Sequence, residues 1–546
     1  MVAAMVCAGM LTANAPALAQ AESAAPTSEE RESSEQVPRL AVLIVVDQMR
    51  AGYLDELDTA LGGGFQRIET GGTRFANAWV DHAYTNSLPG HTSAMTGAYP
   101  RNHGVIDNVW HEVRDGEPVV RSAMTLIGRR DGAPYELGRS TISEWFVAAN
   151  PLAKFAAIGS NAATQIYPGA LTGPVYWYSA EGGGYVTGPN FGASVPEWVT
   201  EFNEKRVSQL AEQTWASNLP WFVERRLRAD DVAFENTGEN THFPHTAAAN
   251  GTPPLEWISG TPFSDQATLE LSAIAIEKLN LGQDDNPDVL TISLNSLDDI
   301  GHAYGPFSHE QTDAVLRLDE NLSVFMAKLD ELVGAGQWVL ALTADHGVAP
   351  TPEGLRLTGS AEGRRISQED ARRVAEAAYA AAGQVEGRPA KAEAAARAIE
   401  GFDFVERAFT EADLAAIEPE PTSREGLFAL SYFPGRTAVH PFYFRDLAIA
   451  DLGVFVLLKE DIMINWGAAI HGSPYDYDRR VPVLYYGAGV AACDRFDRVA
   501  TVDVATTLAA YFGVEPNNAV DGRRIDLSAS ACESAALATP SPELKG

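Results

Sequence analysis

The chain has 546 residues, 45% of them hydrophobic and 21% charged, enough to bury a large core in roughly two to four domains or in one large domain with insertions. Its 40 basic residues face 73 acidic ones, for a net charge of −33, which argues against nucleic acid or an anionic membrane as a partner. An anionic substrate would need positive charge concentrated at its own site, and bound metal ions supply charge of that kind.

In chain order, the first element is a run of small and apolar residues that ends in Ala17-Leu18-Ala19. It reads as a signal peptide over residues 1–19, and implies a periplasmic or secreted protein. Residues 20–37 are rich in Ser and Glu and are expected to be a disordered linker. Two cysteines remain after cleavage, Cys493 and Cys532. In an exported chain they can form one disulfide or stay free, and the residues alone leave the pairing open.

Four apolar runs read as buried strands: Leu40–Val46, Val289–Leu294, Trp338–Thr343 and Val481–Tyr486. Between and after them come helical patterns over Glu310–Leu332, Gln368–Ala382 and Thr501–Val514, and a short buried helix is expected over Thr92–Tyr99. Buried strands alternating with helices predict an α/β fold around a mainly parallel central sheet sandwiched by helices. Two stretches break the rhythm. Residues from about 170 to 270, rich in aromatic residues, Gly and Pro, read as an inserted cap, and the segment Val175–Gly192 is expected to shape access to the site. Residues from about 353 to 440 read as a second surface insertion. The catalytic domain then covers 38–530, with a tail over 531–546.

Each strand neighbourhood carries residues of metal-ligand type. The first run ends at Asp47. The second leads into Asp298 and His302, four residues apart, with Asp299 alongside. The third is followed by Asp345-His346-Gly347, and His471 precedes the fourth. Carboxylate and imidazole are usual ligands of zinc at catalytic sites, and parallel strands gather their carboxyl ends on one edge. His471 must reach that edge from a loop. Ser87 lies in a Ser-Leu-Pro-Gly turn before the predicted short helix, where a hydroxyl is placed to act as nucleophile and helix amides favour an anion. Singly, each residue has a bland alternative as a cap, a turn or a satisfied core group. Jointly, four strand neighbourhoods carry the same chemistry.

The segments VVDQMR, GHTSAMTGAYPRNHGV, DDIGHAYGP, TADHG and HGSPYDYDRRVPVLYYG, in this order, resemble the markers of the alkaline phosphatase superfamily, most of all its secreted, phosphate-irrepressible members. The resemblance implies the alkaline-phosphatase-like fold and two zinc ions. Asp298, His302 and His471 would hold one ion; Asp47, Asp345 and His346 would hold the other, with Ser87 beside it as nucleophile and ligand. Asn108 would donate to a phosphoryl oxygen, unless it is only a turn residue. The partner is then a small-molecule phosphate ester hydrolysed through a phosphoserine, with no stable membrane partner and a monomeric enzyme.

Where family monoesterases carry a Lys-x-Arg pair, the matching segment Ile158–Ala170 has Asn161 and Ala163. Such cations neutralise a monoester dianion. Their replacement predicts a shift toward phosphodiesters, or a cation supplied from elsewhere, with Asn161 as a substrate contact. A sulfatase is the rival hydrolase, but its Ser/Cys-x-Pro-x-Arg signature lacks the arginine here, where His91 stands. A phosphoglycerate mutase conflicts with the leader, and a non-catalytic metal or phosphate binder predicts a lost ligand, whereas none is missing. His91 and His103 are expected to support the site, and Tyr84, Asn86 and Trp110 either line the pocket or pack.

Overall fold

Strands buried on both faces need apolar residues at every position, since successive side chains point to opposite sides. Leu40–Val46 (β1) meets that demand and lies in the middle of a nine-stranded sheet. The other strands are Thr73–Phe75 (β2), Phe155–Gly159 (β3), Val175–Ser179 (β4), Gly184–Val186 (β5), Asp288–Leu294 (β6), Trp338–Thr343 (β7), Val483–Gly487 (β8) and Cys493–Arg495 (β9). Their spatial order is β9-β2-β8-β7-β1-β6-β3-β4-β5. The centre is parallel, with Leu40 opposite both Trp338 and Asp288, while β8 runs antiparallel to β7 and to β2, and β5 to β4. The computed structural model describes residues 37–538 apart from 115–116, 123–136, 162–172, 189–190, 192–193, 358, 360–362 and 441–448. The expected leader and nearly all of the linker lie outside the described residues.

The two faces of the sheet carry separate cores. Leu40, Val42, Ile44 and Val46 point to one side, against the helices Pro262–Leu279 and His309–Leu329. Ala41, Leu43 and Val45 point to the other, against the helices Ser87–Thr96 (α1) and Asp503–Ala510. Each fully buried aliphatic side chain contributes about 1.5–3 kcal/mol, so strand and helix faces fix one another. The helix expected over Thr92–Tyr99 starts earlier, at Ser87, and stops at Gly97 in the left-handed region (φ 62°). Pro89 does not prevent this, because the first turn of a helix needs no proline N–H.

Within the aromatic stretch expected as a cap, β4 and β5 belong to the central sheet, and Trp215 and Trp257 join the main core. The stretch expected as a second insertion is linked to residues beyond 440. Its strand Val405–Thr410 pairs with Val454–Leu458, and Arg364–Ile366 pairs with Ile462–Ile464, closing a small core of its own. The helix Gln368–Ala382 starts at a Ser367–Asp370 capping box, as its sequence predicts. Part of the expected tail is also ordered: Ala529–Ala538 is helical, and Cys532 is disulfide-bonded to Cys493 on β9. No helix among the described residues is long and apolar enough to cross a membrane.

Candidate metal centre and active site

The carboxyl ends of β1, β6 and β7 meet at one edge of the sheet. Asp47 directly follows β1, and its N–H donates to the Leu294 carbonyl at the end of β6 (2.8 Å). The helix Ser296–Tyr304 (α2) begins just after β6 and carries Asp298 and His302 one turn apart on one face. Asp345 and His346 follow β7. His471 precedes β8, and β8 is antiparallel, with Val483 opposite Thr343. The start of β8 therefore lies at the same edge, which is how a residue before its strand reaches ligands that follow theirs.

All six residues predicted as ligands come together. Asp298 Oδ1 lies 3.2 Å from His302 Nε2 and 3.3 Å from His471 Nε2, and those two nitrogens are 3.2 Å apart. His346 Nε2 lies 3.2 Å from Asp47 Oδ1 and 3.5 Å from Asp345 Oδ2. The two sets are contiguous, since the rings of His346 and His471 stack at 3.6 Å. The far nitrogen of each histidine faces a backbone carbonyl: His302 Nδ1 and Ala469 O at 2.8 Å, His471 Nδ1 and Thr85 O at 2.8 Å, His346 Nδ1 and Gly347 O at 2.9 Å. A carbonyl only accepts, so each Nδ1 must donate, and in the neutral ring Nε2 then turns a lone pair into the cluster. Acceptors then face acceptors. The oxygens of Asp47 and Nε2 of His346 are buried without a hydrogen bond. Groups so arranged fit a cation, and the nitrogen and oxygen donors suit zinc-like ions.

The charges report the same crowding. Burial, then the neighbouring Asp345 and Asp298 carboxylates, hold Asp47 well above the usual carboxylate range. Burial opposes ionisation of Asp298 too, but His302 and His471 outweigh it and hold that carboxyl well below its ordinary value. Burial likewise disfavours a charged His302, yet Asp298 raises its imidazole to about 9. Burial lowers His346 to about 4, against the pull of Asp345.

Ser87 opens α1. The helix sits close to the second ligand set because Gly90 has no side chain: a Cβ there would come within 2.5 Å of the Asp345 carbonyl oxygen. His91, one turn on, faces the Ser87 carbonyl (2.9 Å) and Asp345 Oδ2 (3.0 Å) through Nδ1, and Ser293 Oγ (2.9 Å) through Nε2. It thus joins helix, ligand and strand, and His103 braces α1 through Ser93 Oγ (3.0 Å). The expected amide cradle at this helix start is reduced. The Leu88 N–H donates to Asn108 Oδ1 (2.8 Å), Pro89 has no N–H, and Gly90 N–H donates to the Asn86 carbonyl (3.0 Å).

Sequence reasoning missed Gln48 and Asp107. Gln48 holds a left-handed backbone (φ 63°), rare for a residue with a side chain. Its N–H donates to Asp345 Oδ1 (3.2 Å) and its Nε2 to Asp298 Oδ1 (2.5 Å), so one residue braces both ligand sets. Asp107 accepts from Asn86 Nδ2 and the Asn108 N–H (both 2.7 Å) and fixes the wall beside Ser87. An amide next to a ligand and an acid next to a predicted contact were the only signals available.

Ser87, Asn108 and Asn161 line a cleft of about 570 Å³ together with Asp298, His302 and His471. Asp47, Asp345 and His346 are fully buried and are not part of its lining. Asn86 lines the cleft, whereas Tyr84 and Trp110 pack in a core cluster. None of the described residues of Val175–Gly192 lines it, because β4 and β5 bury that segment in the sheet. The second insertion supplies the rim instead, with Gln368, Ile464, Trp466 and Ile470.

The profile of the type I phosphodiesterase / nucleotide pyrophosphatase family matches residues 41–417, which take in every strand of the central sheet except β8 and β9, and every predicted ligand except His471. The chain belongs to this family. That agrees with the resemblance to the alkaline phosphatase superfamily. Among its relatives, the alkaline phosphatase PafA of Elizabethkingia meningoseptica is 32% identical over 330 residues, 57% of this chain and 60% of PafA. The match thus spans about 60% of that relative's length. The alkaline phosphatase PhoK of a Sphingomonas species is 28% identical over 540 residues, 91% of this chain and 93% of PhoK. The fold matches the crystal structure of wild-type PafA with a TM-score of 0.78 at 24% identity, covering 89% of this chain and 98% of that one.

Proposed function

We propose that this family member is a phosphate-ester hydrolase that works with two bound divalent ions, zinc being the ion its donors suit, through a phosphoserine on Ser87. The observation that carries this reading is the pair of contiguous acceptor clusters at one sheet edge, beside a cleft that Ser87 lines. Asp298, His302 and His471 would hold one ion, and Asp47, Asp345 and His346, with Ser87, the other. Bound there, two ions neutralise phosphoryl charge and stabilise the attacking and departing oxygens of an in-line displacement.

The chain's own residues do the rest. Ser87 Oγ gives up its proton and attacks phosphorus; its bond to phosphorus forms as the ester P–O bond breaks, and the departing alkoxide takes up a proton and leaves as the alcohol. Water then attacks phosphorus, its oxygen stays on the released phosphate, the Ser87 O–P bond breaks, and the serine oxygen regains a proton. Asn108 spends Oδ1 on the Leu88 N–H, which leaves its Nδ2 to donate to a phosphoryl oxygen. No Lys or Arg lines the cleft among the described residues, and Asn161 stands where the resemblance leads one to expect a cation. A monoanionic diester demands less neutralisation than a dianionic monoester, so the site leans toward phosphodiesters. The apolar first residues, read as a leader, support a secreted or periplasmic enzyme.

Metal analysis with a panel of matched phosphate monoesters, diesters and sulfate esters tests the reading, together with Ser87→Ala. We expect two ions per chain, diester turnover at least equal to monoester turnover, and a loss of about 10³-fold or more in Ser87→Ala with its metals retained. Full turnover by Ser87→Ala removes the phosphoserine, and a strong monoesterase preference removes the lean toward diesters.

A further inference from the structure

The cleft is lined by two unlike kinds of residue: polar Asn108, Asn161 and Asn295, and apolar Trp466, Ile464 and Ile470. Trp466 is 56% exposed, although it stands in the candidate site rather than in a core. Its ring meets that of His302 edge to face at 4.7 Å. A contact of this kind covers at most one face of the indole, so the other face can meet another ring.

The loop that presents Trp466 is tied to the ligand it touches. The Ala468 N–H donates to the His302 carbonyl (2.6 Å), and His302 Nδ1 donates in return to the Ala469 carbonyl (2.8 Å). Arg365 grips the same loop through the carbonyls of Gly467 (3.0 Å) and Ala468 (2.5 Å), while Glu353 holds its guanidinium (2.8 Å). The Asn465 N–H bonds the Ile366 carbonyl (2.9 Å). Gly467 turns the chain at φ 69°, and a Cβ there would lie 2.6 Å from the His302 carbonyl oxygen. The indole is therefore held at a set place relative to the Asp298–His302–His471 cluster.

Its position also says which part of an ester it meets. The nucleophile's helix is fastened to the other cluster, through Gly90 and His91 against Asp345. An in-line displacement sets the attacking and departing oxygens on opposite sides of phosphorus. The departing group thus leaves on the side of His302 and Trp466. We infer that Trp466 is a stacking platform for the leaving group, so that the preferred substrates are phosphate esters whose leaving group carries an aromatic or heteroaromatic ring. This rests on the phosphate-ester reading above. Trp466 is a specificity-determining residue here, with Ile464 and Ile470 as further apolar lining of the same cleft.

The test compares phenyl and ethyl esters that share the same non-leaving part, in wild type, Trp466→Ala and Trp466→Phe, with the metal content of each variant measured. The leaving-group chemistry of each pair is the same in every variant, so the change in the phenyl-to-ethyl ratio of kcat/KM isolates the platform. Trp466→Ala is expected to lower that ratio about tenfold, mainly through KM for the phenyl ester, and Trp466→Phe to recover most of it. Equal losses on both esters, or a ratio that does not move, overturn the inference: Trp466 then only shields His302. A wild-type protein inert on both esters instead overturns the hydrolase reading itself, and the platform falls with it.

Discussion

The floor of the cleft and its rim are built in opposite ways. At the floor, Asp47, Asp345 and His346 are wholly buried and follow the carboxyl ends of the central strands, so the backbone of the sheet sets their positions. At the rim, Trp466 and Gln368 are supplied by the second insertion, which has its own small core and its own strand pairs. The contrast separates two tasks. On the proposed function, buried acceptors at the ends of the central strands would hold the chemistry to fixed distances, while the rim would set the choice of substrate.

The strongest way to break this division is at the predicted ligands. Asp298→Ala removes the oxygen on which His302 and His471 converge, and we expect loss of one ion per chain and a fall in turnover of about 10³-fold or more. Elemental analysis beside steady-state kinetics checks it; a variant that keeps both ions and its turnover moves the metal site elsewhere. A smaller effect is expected one step out, at Gln48. Gln48→Ala removes an amide that braces Asp298, and metal affinity should weaken by about 10–100-fold, read by competition against a chelator. The main-chain bond to Asp345 survives that change, so the ion near Asp298 should be the one lost first.

The smallest expected effect lies away from both regions, where the stretch around His245 meets the helix His309–Leu329. Glu310 is buried against His245 (2.8 Å), and burial, despite its own backbone N–H and Arg228, raises its carboxyl to about 8. Glu235, beside Arg228, is raised by burial to about 8 as well. A carboxyl raised on folding binds its proton more tightly in the native state, so stability is fully present below the ordinary value near 4.5 and is lost as pH climbs through about 8. Thermal melts from pH 5 to pH 9 should show this decline, and Glu310→Gln should flatten it with the floor and rim untouched. An unchanged slope in Glu310→Gln would assign the decline to other groups.

The floor was far more legible in the sequence than the rim. Apolar runs such as LAVLIVV announce a strand buried on both faces; the acids and histidines near such strands have bland alternatives taken singly, and only their recurrence in four strand neighbourhoods marks the six as candidate ligands. Ser87 was legible as a turn residue, although its helix begins five residues earlier than the apolar pattern suggested, because Pro89 is tolerated in a first turn. The rim was not legible. The aromatic stretch Val175–Gly192 looked like a cleft wall, yet sheet pairing buries β4 and β5. Trp466, isolated in sequence between Asn465 and Gly467, gave no pattern; only the folded loop, hooked onto His302, brings it to the site. Gln48 was hidden for a similar reason, since its importance lies in a left-handed backbone that no residue type announces.

The most direct test of the central claim is anomalous diffraction from crystals of the active, zinc-loaded protein. Two zinc peaks are predicted, one enclosed by Asp298, His302 and His471 and one by Asp47, Asp345 and His346. An active protein with no zinc at these six residues, or with its metal bound elsewhere, would contradict the account.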